Sequence, residues 1–146
     1  MKKISFNTHL NAPRQKVWDI LWDLTTYSQW TAPFMEGSFA ETDNWKEGTK
    51  VLFLSPGRDG MVSKVAANRA PEFMSFEHLG EVKAGVEDTS SDKVKAWQGA
   101  HENYTLTEKD GGTDLVVEID MTEEFAGYFE KTWPLALAKL KEIVEA

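Results

Sequence analysis

The stretch EEFAGYFEKTWPLALAKLKEIVE, Glu123 to Glu145, decides how the rest of the chain is read. Its apolar positions Phe125, Phe129, Trp133, Ala136, Leu140 and Ile143 step by three or four residues, so bulky rings line one face of one helix. That face needs a partner. The residues before it supply one large sheet, which predicts a long helix laid across a curved antiparallel sheet with a hollow between the two. Pro134 predicts either a kink or a short segment ending near Thr132, with Thr132 as cap and Pro134 opening the main helix.

Working back from the helix, the last hairpin sets which side chains look inward. With Asp110-Gly111 as a two-residue turn, Lys109 pairs with Gly112, Leu106 with Leu115, Tyr104 with Val117 and Glu102 with Ile119. A three-residue loop would bury charge and expose Leu115, so the first register is preferred. The same period on the preceding strand puts Met74, Phe76 and His78 inside and Ser75 and Glu77 in solvent. His78, Glu102 and Tyr104 thereby become the polar groups of an otherwise apolar face.

Further upstream, Ile4, Phe6, Thr8 and Leu10 alternate with polar residues and read as a strand. Pro13 then suits a first helical turn with Asn11 as cap candidate, and Val17, Ile20, Leu21 and Leu24 share one helical face. A first helix ending near Leu24, a short turn over residues 25–30 and a stop at Pro33 are expected. From Phe34 to Met121 the period is mainly two, broken by turn clusters, with strands expected near 36–43, 49–55, 61–69, 73–81, 100–109 and 112–121. Pro56 to Gly60 reads as a hairpin loop, with no helix start to hold phosphate. Residues 81–98 are too long and polar for a tight turn and are expected to be a functional cover or locally disordered.

At 146 residues the chain, 1–146, is read as a single domain. A formal charge of −8 disfavours nucleic acid and anionic membranes as partners, and no segment resembles a membrane span. The absence of cysteine removes disulfides, thiolate metal sites and a thiol nucleophile. Met1-Lys2-Lys3 is followed by Asn7, His9 and Asn11 rather than an apolar run, so a cytoplasmic protein is expected. His9, His78 and His101 fall on separate strands, so no metal site is expected, and nothing in the chain calls for a cofactor.

The candidate chemistry therefore sits on the inner face. Trp30, Phe34, Phe53, Phe76, His78, Trp97, Glu102, Tyr104, Val117, Phe129 and Trp133 are the candidate ligand-binding residues, and so many facing rings favour a cavity over a solid core. Glu102, Tyr104 and His78 are the candidate acid–base set, since an apolar pocket raises a carboxyl pKa towards neutrality. For each of these side chains, simple packing or a satisfied hydrogen bond is the competing reading.

The motif order adds a resemblance. Asn11 to Trp18 (NAPRQKVW), Tyr27 to Trp30 (YSQW), Asp43 to Gly48 (DNWKEG), Ala70-Pro71-Glu72, Gly111-Gly112-Thr113 and Trp133 to Leu140 together resemble the START-related helix-grip superfamily, in its branch of homologues of the heat-shock-protein ATPase activator. The resemblance implies an α+β helix-grip fold: about seven antiparallel strands curved around a long C-terminal helix, with one or two short helices after the first strand. It also implies three functions: non-catalytic binding of a small hydrophobic or amphipathic ligand, co-chaperone-like regulation of a heat-shock-protein ATPase through the surface, or a cyclase- or hydratase-like enzyme. Binding is the leading expectation. The co-chaperone engages its partner with a domain ahead of this one, whereas this chain begins at its first strand.

Overall fold

Asp110 and Gly111 both take positive φ, 52° and 77°, which is the turn that lets two strands twist together across a two-residue connection. In the computed structural model, which describes all 146 residues, this turn joins β7 (His101–Lys109) to β8 (Gly112–Met121). The pairs are Lys109 with Gly112, Leu106 with Leu115, Tyr104 with Val117 and Glu102 with Ile119, the register expected from the two-residue turn and the burial of Leu115. β1 (Lys2–Leu10) adds to the other side of β8, placing Ile4 beside Ile119 and Phe6 beside Val117. One apolar face thus runs across three strands.

The sheet continues through β5 (Phe73–Lys83), β4 (Gly60–Arg69), β3 (Lys50–Leu54) and β2 (Phe39–Glu41), in the order β1-β8-β7-β5-β4-β3-β2. An eighth strand, β6 (Val86–Asp88), pairs only with β5, so the sheet has one strand more than expected. Residues 81–98 are accordingly folded rather than locally disordered. Ala84 and Gly85 turn the chain with φ of 50° and 83°, β6 returns along β5, and α3 (Asp92–Lys95) follows, capped by Ser91 Oγ accepting from Val94 N–H. Gln98 Nε2 then donates to the carbonyls of Leu79 and Thr89. Gly80 permits this return, because a Cβ there would meet the Asp88 carbonyl at 2.2 Å.

β5 also carries an extra residue. His78 pairs with Ser63 but Gly80 pairs with the adjacent Val62, leaving Leu79 as a bulge that reverses the faces beyond it. Val82 therefore joins Leu54 and Val62 in a small second cluster, while His78 stays with the main core. Ser75, expected in solvent, is buried and donates to Asn103 Oδ1 on the neighbouring strand.

Two helices follow β1 rather than a helix and a turn. α1 (Arg14–Trp22) has no side-chain cap, and the backbone N–H of Asn11, the expected cap, instead donates to Glu145 Oε2. Asp23 breaks the helix and starts the next, its Oδ1 accepting from Thr25 and Thr26 N–H at 2.9 and 3.1 Å. α2 (Leu24–Trp30) then buries Tyr27 and Trp30.

α4 (Glu123–Glu145) runs through Pro134 as one helix. Thr132 is no cap: its hydroxyl donates back to the Tyr128 carbonyl inside the helix. The buried positions are Ala126, Thr132, Trp133, Ala136, Leu137, Leu140 and Val144, whereas Phe125 is 48% exposed. Trp133, Ala136 and Leu140 of the expected face are buried and Phe129 and Ile143 pack against the core, but Ala126, Leu137 and Val144 are buried too, so the face is rotated part of a residue towards them and away from Phe125. α4 packs most closely on β1, α1 and α2. No helix is long and apolar enough to cross a membrane.

Candidate functional site

The rings between α4 and the sheet touch one another. Trp133, 3% exposed, stacks on Phe6 with centroids 6.0 Å apart and meets Phe34 at 5.0 Å, Trp30 at 6.1 Å and Tyr104 at 6.1 Å. Phe129 reaches Phe34 at 6.2 Å, and Val117 is wholly buried beneath them. These are direct ring contacts, and nothing fits between such pairs. The hollow expected along the helix is filled by the rings themselves. On the α1 side, Trp22 fills the space that Phe76 and Tyr104 leave, at 5.4 and 4.8 Å, with Trp45 against it.

Beyond this packed region the inner face turns polar. β7 presents Glu102 and Tyr104 on the same side, two residues apart, and the Tyr104 hydroxyl donates to Glu102 Oε2. β5 places His78 so that Nε2 lies 3.2 Å from Glu102 Oε1. The bulge at Leu79 keeps His78 opposite Ser63, whose Oγ is 2.6 Å from Nδ1. An ionised Glu102 only accepts, so Nε2 carries the hydrogen, and in the neutral ring Nδ1 accepts from the Ser63 hydroxyl. A continuous chain Tyr104–Glu102–His78–Ser63 results.

Three of its members are closed to solvent: Ser63 is 0%, Tyr104 1% and His78 4% exposed. The Glu102 side chain is different, with 18% of its surface open. Around it stand Phe53, partly buried, 6.2 Å from the His78 ring, and Tyr27, 6.0 Å from Phe53 and 5.3 Å from Trp30. Burial first, and then the Glu102 charge, holds both the Tyr27 and Tyr104 phenols well above their ordinary pKa. Both hydroxyls therefore keep their protons at neutral pH. Ser63 is too enclosed to attack a substrate, so the reactive possibilities of the cluster are those of the Glu102 carboxylate: accepting a hydrogen bond, pairing with a cation or taking a proton.

The sequence-derived residues divide accordingly. Trp30, Phe34, Phe76, Val117, Phe129 and Trp133 belong to the packed region. Phe53, His78, Glu102 and Tyr104 gather at the polar end. Trp97 stands apart from both: it follows α3, is half-buried, and makes no ring contact with the others. Ser63 and Tyr27 were not singled out. Alternation did place Ser63 on the same face as Val65, and Tyr27 shares a helical face with Trp30, but neither signal names a partner.

The other histidines lie outside the cluster. His9 Nδ1 is 2.6 Å from Asp114 Oδ1, and the His101 backbone N–H donates to Asp120. Two surface grooves lie elsewhere. One, of about 460 Å³, runs between Ser5–Thr8 of β1 and Pro134–Lys141 of α4; the other, of about 440 Å³, is at the end of α4. Neither includes Glu102.

No protein-family model matches the chain, and no curated protein matches it. Solved structures do. The Aha1 dimer protein of Colwellia psychrerythraea superposes with a TM-score of 0.74 at 16% identity, over 99% of this chain and 97% of that one. An AHSA1-like protein from Aeromonas hydrophila gives 0.68 at 17%, over 99% and 92%. DynU16, from the dynemicin biosynthetic locus, gives 0.72 at 15%, over all of this chain and 48% of its own length. At such identities the likeness is one of fold: the chain has the helix-grip fold that these three proteins share.

Proposed function

We propose that the chain binds a small amphipathic molecule at the polar end of the concave face, with its apolar body against Tyr27 and Phe53 and its polar group at Glu102. One observation carries this reading. A carboxylate points inward on an apolar face, is held by two hydrogen bonds, and still keeps 18% of its side chain open. Bringing an ionised carboxylate out of water costs several kcal/mol unless partners compensate, roughly, and an aliphatic side chain would serve packing alone better. The arrangement suits a site that uses the charge.

Mass spectrometry of natively purified protein, with a thermal-shift screen of lipids and aromatic molecules, tests the reading. The expected result is a co-purified small molecule or a stabilising ligand whose effect falls in Glu102→Gln. No bound molecule and no stabilising compound would sink it.

The hydrogen-bonded chain supports a second reading, acid–base chemistry of a cyclase or hydratase kind. Glu102 would move the proton, and His78, steadied by Ser63, would position it. Once a substrate is found, Glu102→Gln should abolish turnover while the fold persists; an unchanged rate rules that residue out. Regulation of a chaperone ATPase is a separate proposal, supported by the likeness of fold to the two activator-like proteins and by the exposed rings of Phe125 and Tyr128. An ATPase rate indifferent to the added protein would remove it.

A further inference from the structure

The carboxylate of the inner face takes no part in the lysine and arginine ion pairs of this molecule. Lysines and arginines pair with Glu41, Glu72, Glu77, Glu81, Glu87, Glu108, Asp114, Asp120, Glu130, Glu142 and Glu145, and none of them reaches Glu102. Its partners are a phenol and an imidazole. Each carboxylate oxygen has room for two hydrogen bonds and uses one, so accepting capacity remains on both. The Tyr27 hydroxyl, whose pKa the same charge raises, makes no hydrogen bond within the protein, so it is free to accept or to donate one.

What surrounds Glu102 is aromatic. The partly buried Phe53 and the Tyr27 ring beside it stand nearest the open side, and the negative quadrupoles of such rings attract a cation. An anionic headgroup set here would meet the Glu102 charge with no lysine or arginine to offset it. A neutral hydroxyl would satisfy only one free acceptor. An ammonium has donors alone and matches the unused lone pairs of the Glu102 carboxylate, which only accept. The formal charge of −8 adds a field that draws cations towards the protein.

We infer that the ligand of this site is a cation: a primary or secondary amine on an aromatic or aliphatic body, its ammonium against Glu102 and its body lying against the outer edge of the Tyr27 and Phe53 ring pair. The inference rests on the binding reading above and specifies its ligand class.

A matched series separates the two claims. 4-Phenylbutylamine, 4-phenylbutan-1-ol and 4-phenylbutanoate share one body, and calorimetric titration at about pH 8 keeps the first and last charged. The amine should bind about tenfold more tightly than the alcohol, and the acid more weakly still. Glu102→Gln, checked for fold by circular dichroism, should remove the amine's advantage and leave the alcohol's affinity within about threefold. Tyr27→Phe should weaken the amine by a smaller factor. The comparison within the unaltered protein does not depend on either variant folding. Alcohol or acid binding as tightly as the amine overturns the cation while leaving a binding site in place. Binding by no member of this series, with no co-purified molecule, overturns both.

Discussion

Two regions of the same concave face are built on opposite principles. Under α4 the rings of Phe6, Trp30, Phe34 and Trp133 close on one another, and Trp133 is 3% exposed. A few ångströms along β7, Glu102 keeps 18% of its side chain open and answers to Tyr104, His78 and, through it, Ser63. Tyr104 belongs to both, its ring in the packed region and its hydroxyl in the polar one. The long helix accounts for the difference. It lies towards β1, α1 and α2, so it seals one end of the face and leaves the other to α2 and its tyrosine. Where a helix covers the sheet, apolar volume suffices; where none does, a charge is tolerated because water and donors remain within reach.

The largest test of that contrast is Trp133→Ala. It removes the ring on which the closed end converges and should cost about 3–5 kcal/mol of stability, read as a fall in the urea midpoint. A cost under about 1 kcal/mol would mean that the closed end is not closed. Tyr104→Phe keeps the ring and deletes the donor to Glu102. The loss should be about 1–3 kcal/mol, towards the lower figure because Glu102 is partly solvated.

At the start of β7, next to the open end, Asp120 accepts from the His101 N–H at 3.0 Å and pairs with Lys3 at 3.3 Å. Burial pushes its pKa up, but the His101 hydrogen bond and Lys3 together outweigh it and leave the carboxyl below its ordinary value. A group whose folded pKa is depressed adds stability above its unfolded pKa, and that contribution disappears as pH falls through the folded value. Wild type should therefore exceed Asp120→Asn in urea midpoint at neutral pH and lose the margin below about pH 4. A margin that widened on acidification would refute the assignment. Smallest of all should be Phe125→Ala, within about 0.5 kcal/mol, since that ring is 48% exposed outside the closed end. A loss comparable to that of Trp133→Ala would restore the face first expected for the helix.

How far the sequence could be read depended on how local the deciding interaction was. The β7–β8 register followed from Asp110-Gly111 and from burial of Leu115, both within one hairpin. The inward placement of His78, Glu102 and Tyr104 followed from period two. The hairpin within 81–98 was missed because it turns on Ala84-Gly85 between polar residues, with no alternating apolar run to announce β6. The rotation of α4 was missed for a different reason: positions 125 and 126 both continue a three- or four-residue spacing. Only the sheet beneath distinguishes them. The bulge at Leu79 has no mark in the residue pattern at all, yet it decides that Val82 leaves the main core and that His78 meets Ser63.

By itself, then, the sequence determined the element types, most strand positions, the last hairpin and the polar character of one stretch of inner face, because periodicity and turn chemistry act over a few residues. The tertiary structure alone decided that the rings fill the space under the helix, and that Ser63, His78 and Glu102, separated by 15 and 24 positions, form one hydrogen-bonded chain beside Tyr27. Such meetings depend on register, bulges and helix rotation, which are set by the packing of the whole face.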